Sequence, residues 1–294
     1  MHLPFQLPPL LKNGPCPLWT GYDFQVGCER TKVLHYSTNN AGWNDDLTTY
    51  HENAAGEDHV IDQASRNYAL SKLEKILSTV KKPTILEIGC SSGYMLKKIN
   101  QLFPEAILMG ADVLYKPLLE LSMQLSIPLL RFDISQCPLP DSCIDAIVLL
   151  NVLEHIENDS MTLKQIYRIL KPNGVLILEV PSGPHLYDVH DKICKHFRRY
   201  KLSQLCQLIT QHGFIVTRSS HLGVFIYPVF FLAKVWNKRL FKKSDAEQRQ
   251  LVEKKIRQTG KSKVLSVLMQ MELALGKWIS YPFGIRCVAS CIKK

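Results

Sequence analysis

Residues 84–94 read Thr-Ile-Leu-Glu-Ile-Gly-Cys-Ser-Ser-Gly-Tyr, and the fold turns on this stretch. An apolar strand over 84–88 carries Glu87 near its end, Gly89 and Gly93 permit a tight turn, and a helix over 94–102 follows at once. Without a Cβ the backbone can come close to a ligand, and the free N–H groups at a helix start favour negative charge. A glycine pair after a strand also fits an ordinary α/β turn, so the flanking sequence has to decide.

Upstream, Ile61, Ala64, Tyr68, Ala69, Leu73, Ile76, Leu77 and Val80 recur at helical spacing, and Pro83 closes that helix. Downstream, short apolar strands at 106–111, 129–132, 145–150, 175–180 and 214–219 alternate with helices at 118–125, 160–170 and 202–212. Such alternation implies βαβ crossovers, strands apolar on both faces, and ligands at the strands' carboxyl ends. The expected fold is α/β: a doubly wound, Rossmann-like, mainly parallel seven-stranded sheet with an antiparallel last strand at 284–292 and a helical insertion before it. Residues 1–60 read as an irregular N-terminal arm, 61–221 as the core, 222–283 as the insertion and 284–294 as the closing strand.

Polar residues fall in register at the strand ends. Asp112 ends the second strand, where dinucleotide folds place an acid on ribose hydroxyls; Asp133 and Ile134 end the third, and Asn151 the fourth. Taken together, ILEIGCSSG (85–93), GADV (110–113), FDI (132–134), IDAIVLLNVLEHI (144–156) and LKPNGVLILEVP (170–181) resemble the class I S-adenosylmethionine-dependent methyltransferases. That resemblance implies S-adenosylmethionine as cofactor. Its methionine part would sit on the turn at Glu87, Gly89, Cys90, Ser91 and Gly93, its ribose on Asp112, its adenine against Val113 and beside Asp133 and Ile134, with Asn151 on the same edge. Ser91 departs from the commoner GCGTG turn, and the absence of GxGxxG argues against a nicotinamide enzyme.

Methyl transfer needs alignment, and a base only where the acceptor must lose a proton. His155 is one candidate base; the other is His196, in the segment HLYDVHDKICKHFRRY (185–200). His196 to Tyr200 resembles an HxRRY element of one bacterial-type group, with Lys195 where Gly is usual. His190, Arg198, Arg199 and Tyr200 are expected to meet the substrate, with structural pairing of the arginines as the alternative. Tyr50, His51, Arg66 and Tyr68 are candidates for closing over the cofactor, although a helix-core role suits Tyr68. No zinc spacing is present, so no metal is expected.

With 294 residues, 46% of them apolar, the chain can bury a substantial core. Nine scattered cysteines without a CxxC pair suggest reduced thiols, and the N-terminus lacks the features of a secretory signal, so a cytoplasmic protein is expected. Much of the net charge of +10 lies between Lys234 and Lys263. Residues 222–233, LGVFIYPVFFLA, are apolar but too short to span a membrane, and Lys234, Lys238, Arg239, Lys242 and Lys243 follow with Trp236 and Phe241. A buried lid fits this pattern, and so does peripheral contact of 222–243 with the inner membrane surface. The acceptor expected is a small or lipid-linked molecule methylated on oxygen. An RNA acceptor and a non-catalytic binding scaffold remain the alternatives, and no RNA-binding module is present.

Overall fold

A computed structural model describes residues 3–37, 55–260 and 262–294. Its strands are β1 (Leu18–Trp19), β2 (Phe24–Val26), β3 (Glu29–Thr31), β4 (Val33–His35), β5 (Thr84–Ile88), β6 (Ile107–Asp112), β7 (Leu129–Arg131), β8 (Ile144–Leu150), β9 (Leu170–Pro181), β10 (Phe214–Leu222) and β11 (Arg286–Lys293). The helices are α1 (Val60–Leu77), α2 (Tyr94–Leu102), α3 (Tyr115–Ser122), α4 (Asp159–Ile169), α5 (Val189–Ile193), α6 (Leu202–Gln211), α7 (Tyr227–Asn237), α8 (Asp245–Gly260) and α9 (Lys263–Leu275).

The main sheet runs β10-β11-β9-β8-β5-β6-β7-β4. Strands β5, β6, β7, β8 and β9 are parallel, and β11 lies antiparallel between β9 and β10. Side chains alternate across it: Leu86, Ile147, Leu149 and Leu176 enter one apolar cluster, while Ile85, Ala146, Val148 and Val175 enter the other. Both clusters are buried because helices cover both faces, as the unbroken apolar strands require.

The sheet has eight strands where the sequence suggests seven. The extra one, β4, comes from the arm and pairs in parallel with β7 from Val33↔Leu129 to His35↔Arg131. Three residues are too few to show a period, yet Val33 and Leu34 are fully buried there. The arm also folds β1, β2 and β3 into a small antiparallel sheet, with Trp19 and Phe24 rings 4.8 Å apart. Helix α3 starts three residues before the expected 118 because Pro117 sits in its first turn, where no intrahelical N–H is needed. Strand β9 starts at Leu170 instead of 175, with a register shift against β8 that absorbs the Lys171–Gly174 residues.

Helices α7, α8 and α9 occupy the connection between β10 and β11. Ile226 of the α7 start and Met269 of α9 pack with Val60, Ile61 and Ala64 of α1. Buried Glu272 of α9 accepts the Gly223 and Phe225 N–H groups, which pins the entry to α7. A Ser244–Glu247 capping box opens α8: the Ser244 N–H reaches Glu247 at 3.1 Å and the Glu247 N–H reaches Ser244 Oγ at 3.4 Å. Among the described residues no helix is long and apolar enough to cross a membrane.

Candidate active site

The carboxyl ends of β5, β6 and β8 open on a cavity of about 630 Å³. In the turn after β5, Gly89, Ser91 and Gly93 all have positive φ, at 74°, 42° and 73°. The Ser91 N–H donates to Asp112 Oδ2 at 2.9 Å and the Leu114 N–H to Asp112 Oδ1 at 3.0 Å, so the acid at the end of β6 clamps the turn after β5. Ser91 therefore tolerates the left-handed backbone through a fixed N–H bond, which answers its departure from the usual turn. Asp133 caps the next turn through the Ser135 N–H at 2.8 Å. Asn151, at φ 54°, is held by Glu179: its N–H meets the Glu179 carbonyl at 3.0 Å and its Nδ2 meets Oε1 at 3.2 Å.

Of the residues expected at the cofactor, Glu87, Gly89, Cys90, Ser91, Asp112, Val113, Asp133, Ile134 and Asn151 line the cavity, and Gly93 does not. The reason Gly93 is glycine lies behind the turn, where an added Cβ would stand 2.4 Å from Leu121 Cδ1 of α3. Glu87 is buried with its Oε2 lacking a hydrogen-bond partner, and burial pushes its carboxyl well above the ordinary range, against the pull of Arg66. Arg66 also lines the cavity, whereas Tyr68 packs with Leu222 and Val288 away from it. Tyr50 and His51 lie outside the described residues.

The far wall combines residues from widely separated segments. His196 Nδ1 and Asp191 Oδ1 lie 2.7 Å apart, and the His155 and His196 rings meet edge to face at 4.6 Å. Asp191 also accepts Arg199 Nε at 2.8 Å and Lys234 Nζ at 3.2 Å; Lys234 reaches Asp188 at 2.6 Å, and Asn237 Nδ2 completes the group at 2.8 Å from Asp188. Burial alone would raise the Asp191 carboxyl, but the His196 hydrogen bond and the two cations hold it far below its usual range. Burial lowers the His196 imidazole from 6.5 despite Asp191, and lowers His190 further. Two acidic and two basic side chains pair here, and burial favours the neutral form of both imidazoles.

His190 and Arg199 line the cavity, Arg199 with its guanidinium committed to Asp191 and to the Ser182 carbonyl. Arg198 and Tyr200 are not on the lining: Arg198 pairs with Asp159 at 2.7 Å, and the Tyr200 hydroxyl donates to the same carboxylate at 2.9 Å. Lys234, expected on a basic surface, is 5% exposed, because α7 turns it inward onto Asp188 and Asp191. Glu154, fully buried beside His155, has neither carboxylate oxygen hydrogen-bonded, and burial pushes it up to about 8. The donor atoms of Glu154, His155 and His196 lie within 4.8 Å of one another, a grouping able to hold a metal ion that no sequence spacing anticipates. With its proton retained, Glu154 is a neutral acid beside two imidazoles.

A methyltransferase domain family matches residues 86–178, the stretch from β5 to β9 that includes the glycine turn. Residues 86–178 thus carry a methyltransferase domain of the S-adenosylmethionine-dependent kind. A probable S-adenosylmethionine-dependent methyltransferase of Mycolicibacterium smegmatis is 28% identical over 148 residues, which cover 48% of this chain and 54% of that one. A malonyl-[acyl-carrier protein] O-methyltransferase of Halalkalibacterium halodurans is 29% identical over 115 residues, 36% of this chain and 42% of the relative. The chain spans about half the length, or less, of the curated relatives it matches. Among solved structures, a putative sarcosine dimethylglycine methyltransferase from Galdieria sulphuraria shares the fold with a TM-score of 0.57 at 14% identity, over 85% of this chain and 99% of that one.

S-adenosylmethionine is the cofactor of this methyltransferase family, and the lining suits it: two acids at strand ends, apolar Val113, Phe132 and Ile134 near them, and an unsatisfied Glu87 oxygen on the glycine turn. A buried lid is one of the two roles expected for the insertion, but sequence reasoning assigns none of its residues to the cavity. Phe230, Lys234, Asn237, Val252 and Ile256 line the cavity from α7 and α8, and the only sequence hint is a lone Lys234 at the end of an apolar run.

Proposed function

We propose that this chain transfers a methyl group from S-adenosylmethionine to an oxygen of a small-molecule or lipid-linked acceptor. The observation that carries the reading is the single cavity that has the glycine turn on one side and the Asp191–His196 pair on the other. On this reading Asp112 accepts the ribose hydroxyls with the lone pairs left beside its two backbone bonds, since each carboxylate oxygen can accept more than one hydrogen bond. Val113 covers the adenine, Asp133 and Ile134 meet its edge, and Glu87, Gly89, Cys90, Ser91 and Asn151 hold the methionine part. When bound, the cofactor supplies an activated methyl on a sulfonium, which is already a good leaving group.

The chain's own residues then have three tasks. Asp191 accepts the Nδ1 proton of His196, fixing the tautomer that leaves Nε2 as a proton acceptor. His196 takes the acceptor's hydroxyl proton as the oxygen attacks, with His155 against its ring to fix its plane. His190 and the apolar residues of α7 and α8 exclude water and position the acceptor. Relatives named as O-methyltransferases of malonyl-[acyl-carrier protein] favour oxygen and a carrier-linked acceptor. The peripheral membrane contact expected for 222–243 belongs to the same reading.

Titration calorimetry of the folded chain with S-adenosylmethionine should give saturable binding, and incubation with labelled cofactor should transfer label to candidate hydroxyl acceptors as a base-stable ether, or to carboxylate acceptors as a base-labile methyl ester. A folded protein that binds no cofactor removes the proposal. Label found only on nitrogen would keep the methyltransferase and discard the role of His196 as a base for hydroxyl.

A further inference from the structure

Helix α7 is two-sided. Its inner residues Phe230, Lys234 and Asn237 line the cavity, while Val229, Leu232, Val235 and Trp236, at the spacing of one helical face, point outward and are exposed, Val229 to 73%. Helix α9 repeats the arrangement. Leu265, Leu268 and Met269 pack inward on the cluster that α7 shares, and Val264, Val267, Met271 and Leu275 stand exposed along the opposite side. The segment after α9 adds Trp278, 86% exposed, with Ile279 and Phe283. Phe283 lies against the start of α7, its ring 5.2 Å from Tyr227.

A soluble surface seldom carries so many large apolar side chains together, and a patch of this kind marks an interface. Its border gives the partner's charge. Lys238, Arg239, Lys242 and Lys243 follow α7 directly and are exposed, as are Lys263 and Lys277 at the two ends of α9. Arg239 stacks over the Trp236 ring at 4.5 Å, and Lys243 has Glu247 at 3.6 Å as an acidic neighbour. Aromatic residues with an apolar face and a cationic rim suit the headgroup region of an anionic bilayer, where apolar residues enter the acyl boundary and lysines meet lipid phosphates.

We infer that the outer faces of α7 and α9, with residues 278–283, form one docking surface for an anionic lipid bilayer. The surface reaches well beyond the 222–243 run, because the fold brings α9 and the chain after it onto the same cluster as α7. Docking there sets the bilayer against the helix that walls the cavity. Ala233 belongs to both, being exposed and on the cavity lining.

The full chain is tested by sedimentation with vesicles of zwitterionic lipid alone and with vesicles that include phosphatidylglycerol. Binding to the anionic vesicles is expected, weakening as salt is raised. The charge variant Lys238→Gln/Arg239→Gln/Lys242→Gln/Lys243→Gln should lower the partition coefficient by about tenfold or more. A second variant, Val229→Ser/Leu232→Ser/Val267→Ser/Trp278→Ser, changes only exposed side chains and should lower it by a similar factor. Unchanged thermal stability and cofactor affinity in both variants exclude misfolding. Absence of vesicle binding, or binding that ignores both variants, overturns the inference; so does a concentration-dependent dimer that the serine variant dissociates while vesicles have no effect, since a second copy of the chain would then own the surface. Cofactor binding without vesicle binding sinks this surface and leaves the proposed activity standing, whereas vesicle binding without cofactor binding does the reverse.

Discussion

The two walls of the cavity are made in different ways. The cofactor edge is local: β5, its turn, α2 and the acid ending β6 lie within about thirty residues, and the turn is closed by its own backbone and by Asp112. The opposite wall, proposed to face the acceptor, is assembled across the chain, with His155 from the loop after β8, Asp188, Asp191, His196 and Arg199 from the segment after β9, and Lys234 and Asn237 from the insertion. One wall is read by geometry of the main chain, the other by a buried balance of charges. Each should therefore fail in its own manner when broken.

The largest effect is expected from Gly89→Val. The new Cβ would stand 2.3 Å from Val152 Cγ2 at a backbone φ of 74°, so both the turn and the loop carrying His155 must move. Cofactor affinity should fall beyond detection by calorimetry, with a lower melting temperature. Near-normal binding would show that the turn is not fixed by its glycine.

On the other wall, His196→Ala should lower kcat by about 10²- to 10⁴-fold with little change in cofactor Kd, the range for loss of a positioned proton acceptor. The pH profile provides a separate readout. A base works in its neutral form, so the rate rises with pH through its pKa; because burial lowers His196 from 6.5, the acid limb of kcat should lie below 6.5. Asp191→Asn should raise neither limb nor rate, and should cost stability by leaving Lys234 and Arg199 buried against a neutral amide. An acid limb that stays in place in His196→Gln with residual activity would assign it to another group.

Asp112→Ala should weaken cofactor binding by about ten- to a hundredfold, through loss of a charged acceptor that also ties down the Ser91 N–H. If calorimetry gives an unchanged Kd, the cofactor edge does not include Asp112. The smallest effect concerns stability alone. Glu154, pushed up to about 8, keeps its proton in the folded state, so the stability it contributes is complete below 4.5 and is lost as pH rises through about 8. Glu154→Gln should flatten that fall in melting temperature between pH 5 and 8; parallel curves for the two proteins would mean that Glu154 ionises without cost, as it would beside a bound cation.

The same division governs what the sequence reveals. Residues 84–94 are legible because a strand, a turn and a helix each leave a short-range signature, and Asp112, Asp133 and Asn151 fall at strand ends that hydrophobic runs mark. The eighth strand escapes notice since β4 has three residues and takes its partner from almost a hundred residues away. Lys234 misleads for a related reason: a lysine after an apolar run reads as surface, and only the position of α7 over the loop after β9 supplies the two carboxylates that let it be buried. Arg198 and Arg199 are adjacent in sequence yet face different acids, Asp159 and Asp191, a separation no spacing rule predicts.

The ion pairs from Lys234 to Asp188 and Asp191 also bear on how such an enzyme can be rebuilt. Residues 223–285 have the outline of a removable cassette, since β10 and β11 are adjacent antiparallel strands that a short hairpin would join. Excision would nevertheless leave Asp188 without its lysine and Asp191 with Arg199 alone, and Asp191, the one nearer His196, would lose part of what keeps it ionised. A chimaera that exchanges this cassette for one from a relative must bring its own lysine at the matching helical position, or exchange the loop over 185–200 with it. The insertion and the loop carrying His196 are thus tied together by buried charge, so a change in the one bears on the other.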